Sequence, residues 1–182
     1  AAQPGIRIEL HEADSHEAVL AVLDGRADLG IFAERTPELG LHTQPYRQDQ
    51  LVLVVPAGHP LARKRQVRFD DAAAYDFVSL SQATSLAQRL QLESRRHGIA
   101  LRVRIHVRSF DAMCQMVAAG LGIAVLPAKA VRPLIKALGL RQIDIAEDWT
   151  QRQLLLGLRD PDALARPVRA LLEHLAPPTA GA

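Results

Sequence analysis

The 182-residue sequence is short of cysteine and of aromatic residues: Cys114 stands alone, with one tryptophan, two tyrosines and four phenylalanines. A single cysteine excludes an internal disulfide framework and allows a cytoplasmic address. Lying in an apolar helical stretch, Cys114 reads as a small buried hydrophobe, the alternative being a reactive thiol. No charge of one sign dominates either. Twenty-two basic against twenty acidic side chains leave +2, too little for a nucleic-acid footprint. No apolar run approaches the roughly 20 residues of a membrane-spanning helix, and no signal-peptide pattern is visible. The sequence also lacks a G-x-S-x-G elbow, a phosphate-binding G-x-x-x-x-G-K-[ST], H-E-x-x-H and C-x-x-C, and Gly120-Leu121-Gly122 is without the third glycine of a dinucleotide fingerprint. No catalytic residue, resident metal or cofactor is expected.

What the sequence has is a helix that turns on glycine into a buried strand. In Ser109–Ala128, SFDAMCQMVAAGLGIAVLPA, Ser109 is expected as N-cap and Asp111 sits at the positive end of the helix dipole. Met113, Met116, Val117 and Gly120 share one face. Gly120 suits a left-handed C′ position, and Ile123–Leu126 is the continuous apolar run of a strand covered on both faces. A second copy begins at Ser15, expected to cap a helix with Val19, Leu20, Val22 and Leu23 as its stripe; Gly25 stops it and Leu29–Ala33 follows as a strand. Two such helix starts facing each other would form an anion site.

Around these units, Ile6–Leu10 is expected as a strand after a Pro4-Gly5 turn. His11–Glu17, HEADSHE, raises a metal site, but histidines five apart fit neither a helical pair nor a finger, which favours a solvated loop. Glu34–Gln50 is polar and broken by prolines, Leu51–Val55 reads as a central strand and Phe77–Leu80 as another. Ser81-Gln82-Ala83-Thr84-Ser85 opens a helix over Leu86–His97 that Gly98 ends, its hydroxyls serving as caps or as ligand donors. Leu101–Arg108 alternates as a half-buried strand with a solvated basic face. A helix disturbed by Pro133 covers Pro127–Leu138, strands follow at Gly139–Ile145 and Trp149–Leu158, and Pro167 opens a last helix. Strands alternating with helices predict an α/β fold with mostly parallel sheets. Two crossing points predict lobe I from residues 1–48 and 149–176, lobe II from 49–148, and a tail over 177–182.

Four stretches, in order, resemble the effector-binding (regulatory) domain of LysR-type transcriptional regulators: Pro4–Leu10; Leu23–Ile31 (LDGRADLGI); Leu51–Pro56 with His59-Pro60-Leu61; and Met116–Pro127. The resemblance implies a periplasmic-binding-protein-like (type 2) fold of two lobes joined by two crossing strands, with a small effector between them. It places effector contacts at Ser15, His16, Phe32, Ala33, Ser81, Ser85, Ser109, Phe110, Leu126 and Pro127; for Phe32 and Phe110 core packing is the alternative. It implies a first strand and helix of lobe I missing ahead of Pro4-Gly5, and a homodimer or tetramer in the full-length protein. An N-terminal winged helix-turn-helix outside this chain would contact promoter DNA, and RNA polymerase would be engaged through the full-length regulator. The expected effector is a small organic anion, a carboxylate above all, with no membrane partner. A solute-binding protein of a transport system is the rival expectation, and a binding-protein-like enzyme a further one.

Overall fold

A computed structural model describes residues 5–175. Pro4 of the expected opening turn and the tail expected over 177–182 lie outside them. Two compact units are present: unit 1 takes the described residues up to Arg47 and from Gln153 onward, and unit 2 is Gln48–Arg152. The chain passes between them twice, inside strand β2 (His42–Pro56) and near the start of strand β8 (Gln151–Leu158).

In unit 1, helix α1 (Ser15–Leu23) packs on strand β1 (Gly30–Ala33), which runs antiparallel to β8 with Gly30 opposite Gly157 and Ala33 opposite Leu154. The apolar spacing of α1 produces this, because Val19 and Val22 are fully buried and close a small core with Phe32 and Leu41. Helix α6 (Arg166–Leu175) has no fully buried residue. The expected cap is corrected here. Asp14, not Ser15, is the N-cap: its carboxylate accepts from the amides of His16 and Glu17, each at 2.9 Å, and Glu17 returns the bond in a capping box. A charged acceptor at the positive end of the dipole wins over the neighbouring hydroxyl. The strand expected over Ile6–Leu10 does not form, since among the described residues no strand pairs with it, and Ile8 and Leu10 are exposed.

Unit 2 is built around the apolar half of β2, in which Leu51–Val55 are all fully buried. Strand β6 (Ala124–Pro127) and strand β7 (Leu140–Ile145) both pair antiparallel to it, and the short strand β3 (Gln66–Val67) pairs parallel to β7. Strands β4 (Asp76–Leu80) and β5 (Arg102–Val107) form a parallel pair, extended by a parallel bridge from Phe77 to Ile123. The sheets are therefore mixed rather than mostly parallel: β1 with β8, and β2 with β6 and with β7, run antiparallel. Helices α2 (Phe69–Ala72), α3 (Ser85–Arg96), α4 (Phe110–Ala118) and α5 (Ala128–Ala137) complete the unit. Helix α5 runs through Pro133, and β2 begins at His42 and runs through Pro45, inside the stretch expected to be broken. Cys114 is buried as expected; burial, then the charge of Asp111, pushes its thiol pKa up, which makes it a poor nucleophile.

Behind β2, the 3-10 turn Pro60–Arg63 is capped by His59, whose Nδ1 accepts from the amide of Leu61 at 3.2 Å. Burial holds this imidazole below its ordinary pKa of 6.5. The folded chain then binds fewer protons than the unfolded chain below pH 6.5, so this contribution to stability is complete above that value and is lost on acidification. Urea midpoints should fall as the pH drops from 7 to 5. His59→Asn, which keeps an acceptor and does not titrate, should flatten that slope; an unchanged slope would remove His59 as the cause.

Candidate functional site

Three strands of unit 2 deliver most of the candidate residues to one end. Because β4 and β5 are parallel and Leu80 lies opposite Val107, the segments that follow them emerge side by side. Those segments open α3 and α4. Ile123 donates its amide to Asp76 O and accepts from Val78 N, both at 2.8 Å, on the other side of β4, so β6 also runs toward that end and finishes at Leu126 and Pro127. Ser81, Ser85, Ser109, Phe110, Leu126 and Pro127 are thus brought to the carboxyl ends of three parallel segments, the usual ligand position in α/β sheets.

Each side chain there has a local reason. Ser109 is the expected N-cap of α4, its Oγ accepting from Ala112 N at 3.2 Å while the side chain stays exposed. Thr84 caps α3, with Oγ1 accepting from Ala87 N at 3.3 Å and donating to Ser81 O at 2.9 Å; Ser85 is the first residue of that helix and Ser81 is exposed. Of the hydroxyls expected to cap this helix or to meet a ligand, Thr84, directly ahead of Ser-Leu-Ala, is the one that caps. Phe110 is half-buried against the core, and Leu126 is fully buried within it. Helix α4 leaves the amides of Phe110 and Asp111 without a cap bond from Ser109, facing the direction in which a dipole favours an anion.

In unit 1 the candidates lie at the start of α1 and the end of β1. Ser15 Oγ accepts from the Ala33 amide at 3.2 Å, which fastens these two segments together. His16 is exposed, whereas Phe32 is 2% exposed in the unit 1 core. The first amides of α1 already serve the Asp14 carboxylate, so this helix start offers an incoming anion much less than α4 does. In HEADSHE, His11 pairs with Glu9 at 3.1 Å on the surface, and Asp14 and Glu17 are spent on the cap.

The opposite, amino end of β4 borders a cleft lined by Pro56, His59, Tyr75, Asp76, Arg104 and Gly122. Tyr75 meets the His59 ring edge-on at 4.5 Å. Buried charges in unit 2 are held in ion pairs: Glu93 with Arg89 at 3.3 Å and Arg96 at 3.2 Å, and Asp49 with Arg152. Their geometry is that of structural pairs.

A pair of α/β units, crossed twice by the chain and presenting capped helix starts at strand ends, is the type 2 periplasmic-binding-like fold. Solved structures place it there. The regulatory domain of Synechocystis PCC6803 CcmR in complex with 2-PG superimposes with a TM-score of 0.87 at 25% identity, over 96% of this chain and 84% of that one. The effector-binding domain of QuiR in complex with shikimate gives 0.79 at 19% identity, over 88% and 76%. The chain belongs to the LysR substrate-binding domain family, whose model matches residues 1–177. Among relatives, it is 34% identical over 152 residues to the transcriptional activator protein LysR of Escherichia coli K12, covering 82% of this chain and 48% of that protein. With a probable RuBisCO transcriptional regulator of Cyanophora paradoxa it shares 23% identity, over 87% and 51%. The chain spans about half the length of these curated relatives. None of its described helices is long and apolar enough to cross a membrane.

Proposed function

We propose that this chain is the effector-sensing part of a cytoplasmic, dimeric or tetrameric LysR-type regulator. In that protein an N-terminal winged helix-turn-helix reads promoter DNA, and the effector alters recruitment of RNA polymerase. This part acts by binding rather than by catalysis. The observation that carries the reading is the convergence of Ser81–Ser85, Ser109-Phe110 and Leu126-Pro127 at one end of unit 2, in a chain of this family. Regulatory domains of the same fold hold 2-PG and shikimate, which supports a small molecule as ligand. Among small molecules a carboxylate fits best: exposed hydroxyls and the free first-turn amides of α4 donate to it, and Phe110 covers an apolar body. The unit 1 set of Ser15, His16, Phe32 and Ala33 joins this proposal through the family pattern, with Asp14 reducing the part its helix start plays. The transport alternative loses its support to the family match.

Calorimetry against a panel of carboxylates, amines and neutral sugars tests the ligand class. A carboxylate is expected to bind, and Ser109→Ala to weaken it by about 1 kcal/mol, the worth of one hydrogen bond, or somewhat more with a charged acceptor. Losing the cap also lowers stability by about 1 kcal/mol, so affinities are compared well below the unfolding temperature. Tight binding of an amine with no carboxylate bound would reject the anion.

A further inference from the structure

On unit 2, away from the strand-end hydroxyls, three side chains from three separate elements present ligand atoms to one point. Asp70 lies in α2, His97 directly follows α3, and Glu147 follows β7. One carboxylate oxygen of each acid and a ring nitrogen of His97 all lie within 4.8 Å of one another. Because α3 leaves the carboxyl end of β4 and returns toward the amino end of β5, His97 is carried to the end of this sheet opposite Ser81 and Ser109.

We propose that Asp70, His97 and Glu147 form a divalent-cation site matched to Zn2+. His97 Nδ1 stands 3.2 Å from Asp70 Oδ1. Two ligands bound at 2.0–2.2 Å in tetrahedral geometry are roughly 3.3 Å apart, so the hydrogen bond of the free protein holds both atoms at the spacing a metal requires. The other Asp70 oxygen is taken by Arg68 at 3.1 Å, which orients the carboxylate and leaves Oδ1 to the site. Glu147 is likewise fixed from behind, its two oxygens accepting from the Phe69 amide at 3.0 and 3.2 Å. Such outer contacts are what aligns metal ligands. The His97 ring is steadied by an edge contact with Phe69, itself stacked edge-on to Trp149. Two carboxylates and one imidazole suit Zn2+ with a fourth position left to water, and a cation here would tie together α2, the end of α3 and the segment after β7.

Titrating the purified chain with Zn2+ by calorimetry should give one saturable equivalent, and Zn2+ should raise the melting temperature. Stoichiometric Co2+ should develop the visible d–d bands of a low-symmetry nitrogen–oxygen site. His97→Ala and Asp70→Asn should each weaken Zn2+ by at least about tenfold, with folding confirmed by circular dichroism. A double replacement, His11→Ala with His16→Ala, should leave the affinity unchanged. The proposal fails if the wild-type chain shows neither saturable Zn2+ binding nor a Co2+ spectrum. It fails equally if the Asp70 and His97 variants bind like wild type, or if the His11/His16 variant abolishes binding. Should one variant not fold, the other and the wild-type Co2+ spectrum decide.

Discussion

Asp49→Ala is expected to destabilise unit 2 by about 3–5 kcal/mol, the cost of leaving a buried charge without its partner. Asp49 Oδ2 pairs with Arg152 Nη2 at 2.5 Å, with side chains only 9% and 14% exposed, and Oδ1 accepts from the Gln50 amide at 2.8 Å. The pair lies where both passages of the chain enter unit 2, between Arg47 and Gln48 and between Arg152 and Gln153. It therefore fastens β2 to β8 at that entry. Alanine removes the carboxylate while the guanidinium stays in a nearly dry place. Asp49→Asn, which keeps an acceptor, should lose less. Combining Asp49→Ala with Arg152→Met should recover part of the loss, since two apolar side chains carry no desolvation penalty. Urea unfolding checks this through the midpoint at constant slope. A single variant within about 1 kcal/mol of wild type would mean that water or a rearranged Arg152 compensates.

Nothing in the sequence pairs Asp49 with Arg152, and the reason is physical. Asp49 and Arg152 are 103 positions apart, and nothing local marks a charged residue for burial. Local chemistry was far more legible. Ser109 as a cap, the left-handed Gly120, the double-sided burial of β6 and the buried thiol of Cys114 each follow from interactions within a few residues, and the structure has each as the sequence predicts. At α1 the local signal favours Asp14 over Ser15, because Asp14-x-x-Glu17 spells a capping box. Strand direction was out of reach. Leu51–Val55 looks the same whether its neighbours run parallel or antiparallel, and only the pairing with Val125 and Ile143 decides it. The Asp70–His97–Glu147 cluster escaped for the same reason as the ion pair, being assembled from residues with no recognisable spacing along the chain. For the candidate site, the residue types at the helix starts were readable, while their meeting at one sheet end rests on the register of β4 with β5.

The third segment, β6, reaches that end by way of Gly122, packed against the backbone of β4, and Gly122→Ala is expected to cost about 3 kcal/mol and to impair effector binding as well. The residue has φ of +156°, and a Cβ added there would stand 2.7 Å from the carbonyl oxygen of Asp76 and 3.3 Å from the carbonyl carbon of Phe77. Both are backbone atoms of β4, so no side chain can swing aside. Relief requires β4 and the Gly122-Ile123 backbone to separate, and this loosens the two 2.8 Å bonds by which Ile123 joins the strand. Since those bonds aim β6 and its end at Leu126-Pro127 alongside the segments carrying Ser81 and Ser109, a shift of even about 1 Å would spoil their alignment. Gly120 is the internal control: it lies two residues away with φ of +73° and nothing within 4 Å of an added Cβ. Gly120→Ala should therefore cost only the left-handed penalty, about 1 kcal/mol, and leave ligand affinity intact. Urea unfolding of both variants, followed by calorimetry with the bound carboxylate, separates the two effects. Equal stability losses would show that conformational strain alone matters at both glycines. A larger loss at Gly122 with unchanged affinity would show that the strand ends tolerate the shift, and would release the candidate site from its dependence on the β4–β6 contact.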